Sequence, residues 1–433
     1  MHKKLTVFDV LALAIPSIAS MLLNNGYRII DQYSIQWLGT AAQAALGSTS
    51  FILIAAFSLF VLISGGVTPI VGRYSGANNT EKRDIAIGQS IKTMSVISLV
   101  YCLTLVLCST ILPEFVGLQN DAAQAMETYL FWLGISGFCI AFGPLIDAVY
   151  ISTGNTKFPL KLQLIFTSCN GLLNWFLIYR LGWGVAGAAI ASGVSAGVSV
   201  SIGMYYIFKD FAPKWHGWEE VQKVIRIGYP IALGVLSYAL VYWVMLKISI
   251  SPLGEEVNAA LGIGFSALEG MSWPLFAGMM VATSSLISRQ LGAKDEDGLE
   301  RTLKLTFPIS TTLGVFVAIV FYNYAAQLCG IFTTDPIVLE QAVMYAQILA
   351  ISQIFVAWEA LSEGVLEGAG DSKTLFWSSV PFNVLRIPLS WLLAIYLGWG
   401  AFGVWWTINS TTFIKGGMKM YLVYRRKWKT LEV

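Results

Sequence analysis

Apolar residues fill this chain in long runs broken by short polar clusters. Each run is long enough to cross the roughly 30 Å hydrocarbon core as a helix. About twelve such runs follow one another: roughly 9–38, 44–72, 87–113, 123–153, 160–181 and 185–208, then 228–253, 259–288, 303–329, 338–369, 374–397 and 401–424. The pattern predicts an all-α integral membrane protein with about twelve transmembrane helices.

The runs also repeat. Leu181-Gly182-Trp183-Gly184 returns 216 residues on as Leu397-Gly398-Trp399-Gly400, and Gly154-Asn155-Thr156-Lys157 returns at the same offset as Gly370-Asp371-Ser372-Lys373. Ala44-Ala45-Leu46-Gly47 recurs 215 residues on as Ala259-Ala260-Leu261-Gly262, and Pro16 and Pro230 open matching apolar stretches 214 apart. Four anchors in one order at one near-constant offset make the chain two copies of a six-helix unit. The expected lobes are residues 1–212 and 213–433, joined by the basic connector Lys209–Arg226. An even number of spans per unit gives both copies the same orientation, so a pseudo-twofold axis along the membrane normal is expected. In a membrane this is the plan of a transporter with its site between the halves.

Composition supports the membrane assignment. Of 433 residues 56% are hydrophobic and 12% charged, against roughly 45–50% and about 25% in soluble domains. No cleavable signal peptide is expected, because the first apolar run is too long for an h-region. Basic residues such as Arg73, Lys82, Lys157, Lys209, Arg289 and Lys373 fall in loops on one side, with Arg180 the main exception. By the positive-inside bias both termini are expected in the cytoplasm and the protein in the inner (cytoplasmic) membrane. The net charge of +2 reflects these topology signals and implies no nucleic acid partner. Five cysteines, all in apolar runs, lack metal-ligand spacing and read as small buried hydrophobes. His2 and His216 lie in cytoplasmic segments, so neither a cofactor nor a histidine metal centre is expected.

Charges inside the spans are the sharpest chemical signal, since each is costly in lipid unless paired or wet. They are Arg28, Asp31, Asp147, Lys247, Glu269, Glu359, Glu363 and Arg386. Asp31 stands about eight residues before the end of its span, on the order of 12 Å deep. It can hold a proton or Na⁺, or it can pair with Arg28 three residues earlier. Asn170 and Asn174 lie on one face of span five, with Asn174 at the depth of Asp31, which suggests a shared pocket; buried amides can equally be packing hydrogen bonds. Glu359 and Glu363 stack four apart on span ten and repel, so protonation or a cation such as Arg386 is required. Glu367, a turn further on, reads as an end-of-helix charge. Glu269 has no repeat counterpart, and with Tyr238 and Glu363 it is a candidate for lining a substrate cavity. Aromatic residues (13%) and twelve methionines supply walls suited to flat organic cations.

In these residues the chain resembles the multidrug and toxic compound extrusion family of antiporters. The matching pieces are Ile15-Pro16, Ile30-Asp31 before Leu38-Gly39, Ala45-Leu46-Gly47, the Gly76-Ala77 and Gly292-Ala293 turns, Gly184–Ala189 and Gly364–Asp371. The resemblance covers nearly the whole chain and implies two six-helix lobes around a V-shaped cavity. It further implies efflux driven by H⁺ or Na⁺, with Asp31 at the family's acidic position in helix one. Where one branch has an aspartate in helix five this chain has Asn174, and where another has a glutamate in helix seven it has Tyr238. The helix-ten acid aligns near Val356, one turn before Glu359.

The resulting expectation is a monomeric secondary antiporter, not an enzyme, that exports cationic or amphipathic organic compounds in exchange for H⁺ or Na⁺ at Asp31, Asn170, Asn174 and Glu359. A lipid-linked precursor flippase is the alternative. It would require a strongly basic cavity and spans beyond twelve.

Overall fold

The computed structural model describes residues 5–431, apart from the side chains of residues 28, 29, 32, 40, 44, 50, 51, 266 and 267. The chain is helical throughout its long elements. The first repeat contains α1 (Val7–Ile35), α2 (Thr40–Gly76), α3 (Thr80–Cys108), α4 (Asn120–Ser152), α5 (Lys157–Asn174) and α6 (Gly184–Asp210). The second contains α7 (Glu219–Met245), α8 (Glu255–Ile263, resuming as Gly270–Gly292), α9 (Glu296–Asn323), α10 (Pro336–Ala369), α11 (Ser372–Ser390) and α12 (Gly400–Tyr424). Among the described residues ten stretches are long and apolar enough to cross a membrane. The two of the twelve that fall short are α5, which carries Asn170 and Asn174, and α12, which carries Asn409, Lys415 and Lys419.

The repeat seen in sequence is a repeat of backbone conformation. After α5 the chain widens into a π-helical segment, Trp175–Arg180, and after α11 into another, Trp391–Tyr396, 216 residues on. Each is followed by two glycines in the left-handed region. Gly182 and Gly184 have φ of 69° and 54°, and Gly398 and Gly400 have 70° and 59°. A side chain there would crowd the following carbonyl, which explains why the Gly-Trp-Gly triplet recurs. The loops into α3 and α9 match too: Asn79 accepts a hydrogen bond from the Lys82 amide (3.1 Å), and Asp295 accepts one from the Gly298 amide (2.9 Å). Both satisfy an amide that the first helical turn leaves without an intrahelical partner.

The chain packs as two compact units, Ala19–Ala232 and Met1–Ile18 with Leu233–Val433. The expected boundary at 212/213 therefore differs from the packing in two segments. The start of α7 belongs with the first unit, because glycines let backbones meet there. A Cβ on Gly66 would lie 2.0 Å from the Val224 carbonyl oxygen, and one on Gly228 would lie 1.9 Å from that of Leu62. Gln89 adds a hydrogen bond to the Val221 amide (2.9 Å) and another to the His216 carbonyl (2.8 Å). In the other unit, Val10, Leu13 and Ala14 of α1 share a core with Met279, Ala282 and Leu286 of α8. Both exchanges end two residues past a helix proline, Pro16 or Pro230.

Gly228→Ala is expected to destabilise the protein strongly, since the methyl meets backbone that cannot move aside. Gly417→Ala, where nothing lies within 4 Å of the added carbon, is expected to be neutral. Thermal unfolding of the two variants in detergent compares them directly.

Candidate functional site

Two clusters of buried polar residues stand out, one in each unit. The first lies in Ala19–Ala232, where the second half of α1 packs on α5 and α6. Asp31 is 8% exposed, and Asn170 and Asn174 are fully buried. Asn174 Nδ2 donates to Asp31 Oδ1 at 2.5 Å and to Asn170 Oδ1 at 3.2 Å. Asn170 Nδ2 in turn donates to Ser192 Oγ of α6 at 3.3 Å. Asn174 is the last residue of α5 before its π-helical segment, a feature common beside functional sites. That segment carries Tyr179, whose hydroxyl donates to the Ser34 carbonyl at 2.9 Å and ties α5 to α1. The pairing of Arg28 with Asp31 lies outside the described residues.

This cluster brings oxygen ligands to one place. Asp31 supplies a carboxylate, and Asn170 and Ser192 supply neutral oxygens. Asn174 Oδ1 is buried and accepts no hydrogen bond among the described residues. A buried acceptor without a donor is costly. An added proton or a small hard cation would satisfy it.

The second cluster lies in the unit containing Leu233–Val433. Lys419 Nζ of α12 is 2.8 Å from Glu359 Oε1 and 2.5 Å from Glu363 Oε1. Lys415 Nζ, one turn earlier, is 3.0 Å from Glu359 Oε1. The repulsion of two stacked glutamates is thus relieved by two stacked lysines, which sequence reasoning did not include among the intramembrane charges. The signal was present, since lysines four apart in α12 match glutamates four apart in α10. Arg386 is not their partner. Its guanidinium donates to Thr411 (2.8 Å), Thr412 (3.1 Å) and the Tyr242 hydroxyl (2.9 Å). Tyr238 packs its ring, tilted by 53°, with its centroid 4.7 Å from that of Tyr242, and Glu269 accepts a hydrogen bond from the Tyr345 hydroxyl. Of the expected cavity residues, Tyr238 therefore joins the Arg386 group, Glu363 the lysine group, and Glu269 stands on Tyr345.

Among the described residues no three His, Cys, Asp or Glu side chains gather to hold a metal ion, and all five cysteines are free thiols.

Comparison with known proteins agrees with this architecture. The MatE family model matches twice, at residues 16–176 and 230–392, so each repeat carries one copy. A probable multidrug resistance protein NorM of Thermotoga maritima is 23% identical over 98% of this chain and 94% of its own length. Protein DETOXIFICATION 30 of Arabidopsis thaliana is 24% identical over 93% of this chain and 84% of its own. A solved structure described as an outward-facing conformation of a multidrug resistance MATE family transporter of the MOP superfamily has the same fold. Its TM-score is 0.90 at 19% identity, over 98% of this chain and 96% of that one. The chain belongs to the multidrug and toxic compound extrusion (MATE) family, whose members are membrane transporters and not enzymes.

Proposed function

We propose that this transporter is a secondary antiporter of the cytoplasmic membrane, working as a monomer with both termini in the cytoplasm. It exports cationic or amphipathic organic compounds and takes H⁺ or Na⁺ in return. The observation that carries the reading is the buried Asp31 carboxylate at 2.5 Å from the Asn174 amide, beside an Asn174 oxygen that has no donor. In this reading Asp31 binds the coupling ion, while Asn170 and Asn174 orient it and supply neutral oxygens. The ion leaves on the cytoplasmic side as new substrate enters, and alternating access moves the two. Glu359 enters the cycle less readily, because an incoming proton would have to displace Lys415 and Lys419 from its carboxylate.

The flippase alternative gains three buried cations, Arg386, Lys415 and Lys419, but three carboxylates, Glu269, Glu359 and Glu363, stand in the same unit. A strongly basic surface for a pyrophosphate is not what this balance supports.

Dye efflux from everted vesicles tests the proposal with a pH gradient and a Na⁺ gradient imposed separately. Efflux driven by one of them is the expected result, and efflux indifferent to both would overturn antiport. Asn174→Ala is expected to shift the half-saturating ion concentration about tenfold, since a hydrogen bond to a charged group is worth about 1.5–3 kcal/mol. The shift is upward for Na⁺, which loses a neutral oxygen, and downward for H⁺, because the lost donor favours the ionised carboxylate.

A further inference from the structure

The repeat offset of 216 relates a third carboxylate to the lysine group. Asp147 of α4 corresponds to Glu363 of α10, and Gly143 corresponds to Glu359. On the partner helices, Ser199 and Gly203 of α6 correspond to Lys415 and Lys419 of α12. The structure supports the register. A Cβ on Gly203 would lie 2.8 Å from the Ile146 side chain, so position 203 faces the segment of α4 that bears Asp147, as Lys419 faces Glu363. Tyr150 of α4 and Asp210 of α6 hold the same pair of helices together, hydroxyl to carboxylate, at 3.0 Å.

The two repeats thus differ in one respect. In the second, the carboxylate of α10 is neutralised by an ammonium group built into α12. In the first, α6 offers a glycine and a serine in those places, and the Ser199 hydroxyl is already donating to the Leu162 carbonyl (3.0 Å). Among the described residues no hydrogen bond, ion pair or charged neighbour reaches Asp147. The side chain is nonetheless partly exposed, and one turn away a Cβ on Gly143 would meet nothing within 4 Å. An open face of α4 therefore carries a carboxylate without a counterion, in a segment where an uncompensated charge costs a few kcal/mol or more.

We propose that Asp147 binds an exogenous monovalent organic cation, which takes the place that Lys419 fills in the second repeat. An alkali ion fits less well. It needs several oxygen ligands, whereas this face offers one carboxylate between Pro144 and Ile151. A flat or alkylated ammonium or phosphonium needs one charge and apolar surroundings. The inference rests on the reading of the protein as an exporter of organic cations, and it names a binding residue separate from Asp31.

Equilibrium binding of tetraphenylphosphonium to the purified full chain in detergent tests it, with and without added NaCl against a KCl control. Wild type and Asp147→Glu are expected to bind, while Asp147→Asn binds at least tenfold more weakly with unchanged elution on size exclusion. Gly203→Lys, which supplies the tethered cation, is expected to weaken binding similarly. Gly203→Met, of similar length without charge, keeps it, which separates charge from bulk and covers the case in which Asp147→Asn fails to fold. Equal affinity in wild type, Asp147→Asn and Gly203→Lys would overturn the assignment of Asp147 while leaving organic cation export standing. No binding by wild type would overturn both. Displacement by Na⁺ but not K⁺ that persists in Asp31→Asn and is lost in Asp147→Asn would reassign Asp147 to the alkali ion and overturn the proposal.

Discussion

Asp31→Asn is expected to abolish ion-driven efflux while leaving the fold intact. The amide occupies the space of the carboxylate and can still accept from Asn174, so the packing of α1 on α5 is kept. What is lost is the carboxylate charge of the cluster, and with it the means of holding a cation or exchanging a proton. Losing a charge-assisted contact of about 1.5–3 kcal/mol lowers ion affinity on the order of ten- to a hundredfold. Gradient-driven transport should then fall to the vesicle background, measured as dye efflux at matched protein levels. Full efflux in this variant would move coupling to another carboxylate, Glu359 first.

The second large effect concerns stability. Lys419 is completely buried and bonds both Glu359 and Glu363. Lys419→Met leaves Glu363 without its cation and Glu359 with Lys415 alone. Removing one member of a buried ion pair typically costs about 3–5 kcal/mol, because the abandoned charge remains out of water. A markedly lower midpoint of thermal unfolding in detergent is therefore expected. Adding Glu363→Gln to the same chain should recover part of the loss, since the uncompensated charge goes with it. An unchanged midpoint in Lys419→Met would mean that the cluster is hydrated and contributes little.

These two clusters also mark how far the sequence could be read. The helix count and the internal repeat were legible because lipid forces long apolar runs, and because Gly-Trp-Gly recurs only where the backbone demands positive φ at both glycines. The meeting of Asp31 with Asn174 was legible from depth alone, as both stand a similar distance before a span end. The lysines of α12 were missed for a physical reason. Two glycines and two methionines adjoin them, so they interrupt a generally apolar run without breaking it, and only the matching spacing in α10 reveals a partner. The exchange of the first turns of α1 and α7 between units was hidden as well. It depends on backbone approaches at Gly66, Gly228 and Gly278, which a single sequence does not distinguish from ordinary helix packing. The isolation of Asp147 is of the same kind, since a missing counterion becomes visible only once the second repeat shows what stands at the matching positions.

Antiport requires that substrate and coupling ion bind at each other's expense, and that exchange can be read without a membrane. Purified protein in weakly buffered detergent, with or without Na⁺, would receive a pulse of tetraphenylphosphonium while released protons and Na⁺ are recorded. The account predicts release of one of these ions by wild type and its absence in Asp31→Asn. Binding of the organic cation with no ion released, or the same release from Asp31→Asn, would contradict it.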